Sequence, residues 1–98
     1  MNEKEYRQCL ECERKLYSWC LEKWGGSTAH EAERKAVTFY CYDPPEVRPR
    51  DLVFHKSAWD WAMFHIHGDG YWLAHPELAK APAEYDREYE RVYGTQET

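Results

Sequence analysis

The sequence predicts an all-α fold: one bundle of four or five helices around a single core. Three observations carry this. Residues 2–24 repeat their apolar positions with a 3.6-residue period. Glycine and proline punctuation cuts the chain into helix-length pieces. Ninety-eight residues, 43% of them hydrophobic, suffice for one modest core and no second domain. The domain is expected over 1–94, with 95–98 a frayed tail.

The first helix is expected from Asn2 to Trp24. Tyr6, Cys9, Leu10, Cys12, Leu16, Tyr17, Trp19, Cys20 and Leu21 share its broad apolar side, opposite Lys4, Arg7, Gln8, Glu11, Lys15, Ser18 and Glu22. Gly25-Gly26 ends it, because glycine accepts a left-handed C-cap. Thr28-Ala29-His30-Glu31 has the form of a capping box and opens a second helix, in which Ala29, Ala32, Ala36, Phe39 and Tyr40 line one face. The small alanines would let another helix approach closely. Residues 37–42 are β-branched and aromatic, so an α+β alternative has short strands at 37–42 and 52–55. Pro44-Pro45 stops the element in either case.

A third helix starts at Asp51 or Ser57 and is apolar nearly all round through Ile66, which predicts a central, buried position. Gly68-Asp69-Gly70 ends it, and Tyr71-Trp72-Leu73 has the length of one helical turn. His75-Pro76 resembles a helix start with proline first. The last helix runs from Pro82 to Tyr93, with Tyr85, Tyr89, Val92 and Tyr93 on one face and Gly94 as its cap.

Charge narrows the partners. Thirteen basic against eighteen acidic residues leave a net charge of −5, without the Lys/Arg cluster that direct nucleic-acid binding needs. Residues 1–35 are neutral, and residues 77–98 carry six acids against three bases. Such a field favours a basic protein partner. No apolar run has the length of a membrane span, and MNEKEYRQ has no signal-peptide character, so a cytoplasmic protein with reduced thiols is expected.

Five Trp, eight Tyr and three Phe make 16% of the chain aromatic, more ring surface than so small an interior is expected to absorb. Trp61 and Trp72 are assigned to the core. The surplus is assigned to a partner-binding surface: Tyr85, Tyr89 and Tyr93 with the carboxylates Glu84, Asp86, Glu88 and Glu90 around them, and Trp59. The competing reading makes the tyrosine stripe part of the core.

A metal site is the other candidate chemistry. Cys9-x-x-Cys12 has the spacing of half a zinc site, but no second pair accompanies it. On a helix Cys9, Cys12 and Cys20 fall within about 80° on the apolar side, where free cysteine also serves as a small hydrophobe. His65-Ile66-His67-Gly68-Asp69 resembles part of the His-x-His-x-Asp-His run of metallo-β-lactamase-type hydrolases. Gly70 stands where the last histidine would be, and that family needs a far longer chain, so the resemblance is set aside. No triad spacing, Gly-x-Ser-x-Gly elbow or phosphate loop is present.

The sequence therefore points to a small acidic, non-enzymatic binding module without a cofactor. It would be a regulator or inhibitor that covers a basic, nucleic-acid-handling protein surface. In size and charge it resembles phage and mobile-element anti-defence proteins of the anti-CRISPR kind. The alternatives are a metalloprotein using Cys9, Cys12, His65 and His67, and a homodimer built on the aromatic surface.

Overall fold

The computed structural model describes residues 1–47 and 49–95. Five α-helices form among them, α1 Glu3–Gly25, α2 Ala29–Phe39, α3 Ala58–His67, α4 Tyr71–Ala74 and α5 Ala83–Gly94. Two 3₁₀ turns, Leu52–His55 and Pro76–Leu78, connect them, and no strand occurs among the described residues.

Helix starts follow local chemistry. Asn2 accepts from the Glu5 amide at 2.8 Å while Glu5 reaches back to the Asn2 amide at 3.0 Å. Thr28 and Glu31 repeat this reciprocal arrangement at 3.2 and 3.1 Å, as the sequence predicts. Ser57 caps α3 by accepting from the Asp60 amide. Each such pairing satisfies donors that a helix N-terminus otherwise leaves unbonded. The end of α1 is set by Gly26, whose φ of 69° is left-handed; a side chain there would cost about 1 kcal/mol or more.

The expected central helix is the wrong one. α1, not α3, is the spine, packing against α2, α3 and α5. Its length explains this: 23 residues at about 1.5 Å each span most of the 38 Å long axis. Tyr6, Leu10, Cys12, Leu16, Tyr17, Cys20 and Leu21 of α1 are all buried. α2 closes on it through Ala32 and Ala36, where small side chains bring the backbones together. α3 turns Ala58, Trp59, Ala62 and Met63 inward. Its remaining apolar side chains, Trp61, Phe64 and Ile66, stay partly or largely outside; Ile66 packs toward Gly25 at the end of α1, and Trp61 and Phe64 wall a surface cleft.

Neither strand of the alternative fold exists. α2 continues through Phe39, and Tyr40 is its buried C-cap. The following loop bonds to side chains of α1 instead of a ladder: Arg14 Nε donates to the Tyr40 carbonyl at 2.8 Å, and the Asp43 amide donates to Tyr6 Oη at 3.0 Å. Residues 52–55 are a 3₁₀ turn. At the C-terminus α5 includes Gly94, and Thr95 follows as the cap, its hydroxyl donating to the Val92 carbonyl. Residues 96–98 of the expected frayed tail lie outside the described residues.

Candidate functional site

The tyrosine stripe of α5 divides between core and surface. Residues four apart on a helix advance about 40° beyond a full turn, so Tyr85, Tyr89 and Tyr93 wind around it. Tyr85 is 5% exposed and packs on Trp19 and Trp59; Tyr89 is 44% exposed. Tyr93 is half-buried, with its hydroxyl donating to Glu13 and its ring 4.5 Å from that of Tyr89. Trp59 is 1% exposed, and its Nε1–H donates to the Leu78 carbonyl at 2.9 Å. Trp59 and Tyr85 are thus corrected from partner-binding surface to core: both fill the space between α1, α3 and α5.

The carboxylates divide as well. Glu84 lies 3.4 Å from Lys23 Nζ. Glu88 pairs with Arg91, whose hydrogen bonds hold its carboxyl below the usual value. Asp86 and Glu90 make no ion pair among the described residues. Spaced i, i+3, i+4 and i+7, Asp86, Tyr89, Glu90 and Tyr93 share one helix face, and this reduced set is what remains of the expected surface.

The thiols and imidazoles do not converge. All four cysteines are free; Cys12 and Cys20 are buried, Cys9 is half-buried and Cys41 is exposed. Burial pushes the Cys12 thiol up to about 11 and also raises those of Cys9 and Cys20. His65 Nδ1 sits 2.6 Å from Tyr17 Oη, with its ring 4.7 Å from that of Phe39 and 6.1 Å from that of Trp61, whereas the His67 ring lies 4.8 Å from that of His75. Histidines two apart on a helix diverge in this way. Among the described residues no three His, Cys, Asp or Glu side chains gather where they could hold a metal. Cys9, Cys12, His65 and His67 therefore do not form the site of the metalloprotein alternative.

The structure adds a cleft that sequence reasoning missed. It lies between α3 and α4, has a volume of about 270 Å³, and is lined by Lys56, Asp60, Trp61, Phe64, Asp69, Tyr71, Trp72 and Ala79. Asp60, Trp61 and Phe64 come from one side of α3. The Gly68-Asp69-Gly70 turn, with φ of 94° at Gly68 and 72° at Gly70, reverses the chain and sets Tyr71 and Trp72 on the other wall. Trp61 is fixed by its Nε1–H donating to the Val53 carbonyl at 2.9 Å, and Asp60 by the Tyr71 hydroxyl at 3.3 Å. Lys56 Nζ lies 5.3 Å from the Trp61 ring centroid.

Trp72, expected in the core, is 47% exposed, and its neighbour Leu73 is 80% exposed. One helical turn can bury only one of two adjacent rings, and Tyr71 takes the inner place. The signal for the cleft was a helix apolar on every side, followed by a Gly-Asp-Gly reversal and two more rings.

Comparison with protein families, with curated proteins and with solved structures returns no match for this chain. No helix of the described residues is long and apolar enough to cross a membrane.

Proposed function

We propose that this chain is a non-enzymatic protein-binding module that docks on a basic partner surface and regulates or inhibits that partner by covering it. The observation that carries the reading is the set of large side chains left in solvent beside carboxylates. Tyr89 is flanked by Asp86 and Glu90 on α5, and Phe64 and Trp72 line the cleft that holds Asp60 and Asp69, with exposed Leu73 next to Trp72 in the chain. Exposed aromatic residues supply contact area at low entropic cost, and neighbouring carboxylates steer a cationic surface onto them. The net charge of −5 adds a long-range component. A nucleic-acid-handling protein is the partner class with the complementary surface, and covering that surface would block its access to nucleic acid. Occlusion of this kind is how a small anti-defence protein from a phage or mobile element would act.

The test is capture on the immobilised chain, with an Asp86→Asn/Tyr89→Ala/Glu90→Gln variant in parallel. The expected result is a basic partner whose retention falls with rising salt and falls again with the variant. No retained partner, or one indifferent to both salt and variant, overturns the reading. Recovery of the chain itself as the only partner would make it a homodimer instead.

A further inference from the structure

We propose that the cleft between α3 and α4 is a receptor for one arginine side chain presented by the partner protein. The inference rests on the basic-partner reading above and specifies where and how that partner is gripped.

The walls have the chemistry a guanidinium needs. Trp61, Phe64, Tyr71 and Trp72 offer ring surface, and Asp60 and Asp69 offer carboxylates at the same opening. A planar cation stacks on an aromatic face while its N–H donors reach carboxylate oxygens, and arginine does both where lysine offers only a point charge. The site is built before any guest arrives. Val53 holds the Trp61 indole, and the Tyr71 hydroxyl holds Asp60, so little ordering remains to be done on binding.

One cation of the chain already lies at the cleft. Lys56 Nζ stands 5.3 Å over the Trp61 ring, an internal cation on the surface an incoming one would use. Two carboxylates against one ammonium leave the lining with an excess negative charge, which a second cation would neutralise. Phe64 at 37% exposure and Trp72 at 47% line the cleft, giving apolar area for the backbone that carries the arginine.

The experiment titrates the intact chain with a short arginine-rich peptide and with the same peptide carrying citrulline, which keeps the shape and loses the charge. The Trp61 and Trp72 indole N–H resonances are followed by NMR. The arginine peptide should shift both, and the citrulline peptide should bind about tenfold or more weakly. Trp72→Ala and Asp69→Asn, both at exposed positions, should each weaken binding about twofold or more. Lys56→Ala removes the internal competitor and should tighten it about two- to fivefold. Equal binding of the citrulline peptide overturns the proposal, as does a shift pattern that avoids Trp61 and Trp72, or an affinity that Trp72→Ala leaves unchanged. The two readings fail separately. A captured partner lost with the α5 variant and kept with Trp72→Ala removes the arginine receptor and leaves the binding module. Absence of any basic partner removes both.

Discussion

The Tyr93 phenol donates a hydrogen bond to Oε2 of Glu13, joining the end of α5 to the middle of α1. Glu13 is only 6% exposed, and among the described residues it is the one charged side chain in an otherwise apolar or aromatic interior. The Ala58 amide, at the start of α3, also favours its ionised form. Three helices thus meet at a single carboxyl group, and burial raises its pKa more than these two donors lower it.

Tyr93→Phe should therefore cost about 1–3 kcal/mol in chemical denaturation, because it strips a donor from a buried acceptor. The linked pH dependence has a definite sign. A carboxyl whose folded pKa lies above the ordinary 4.5 binds its proton more tightly in the folded state. Its contribution is fully present below 4.5 and is lost as pH rises through the elevated value. Glu13→Gln should remove that loss, so the stability difference between wild type and variant should widen as pH climbs above 4.5. A difference that stays flat over this range would sink the assignment.

His65 should behave oppositely. Burial lowers its pKa below the ordinary 6.5, and the neutral ring accepts the Tyr17 hydroxyl at Nδ1 when its own proton sits on Nε2. A histidine with a depressed folded pKa stabilises the fold at pH above 6.5, and that stability falls away as pH drops through the lower value. The NMR titration midpoint of His65 should lie under 6.5 and rise in Tyr17→Phe, which removes the hydroxyl donor to the neutral ring. A wild-type midpoint at or above 6.5 contradicts this account.

Thiol reactivity should sort the cysteines by burial. At mildly alkaline pH an alkylating reagent should modify exposed Cys41 first and half-buried Cys9 slowly. Cys12 and Cys20 should react only as fast as the core opens, since both are sealed and have raised pKa values. Mass mapping against time reads this order directly; early labelling of Cys20 would mean that α1 does not pack as described.

Much of the architecture was legible in the residues. The 3.6-residue repeat along 2–24, the Thr28–Glu31 box, the Ser57 cap and the glycine at position 26 are local, and local chemistry decides helix starts and stops. What escaped was non-local. A helix apolar nearly all round reads as central, yet the outer rings of α3 face a cleft formed where the 68–70 turn brings Trp72 back beside them. Tyr85 and Tyr89 look equivalent on an α5 wheel, and only the position of Trp59 decides which is enclosed. Of the expected contact residues, Tyr89, Asp86 and Glu90 keep a free face for the proposed partner, whereas Trp59 and Tyr85 belong to the interior.

The packing of α1 on α3 sets three indoles in series. Trp19 and Trp24 lie 5.3 Å apart at 67°, and Trp24 and Trp59 lie 4.8 Å apart at 87°. At such separations the electronic transitions of neighbouring chromophores mix, and in a chiral arrangement the mixed bands carry rotational strengths of opposite sign. The chain therefore carries a built-in exciton couplet in its ultraviolet circular dichroism. The part contributed by Trp24 and Trp59, the pair that spans the two helices, gauges how closely they hold together, with no label attached.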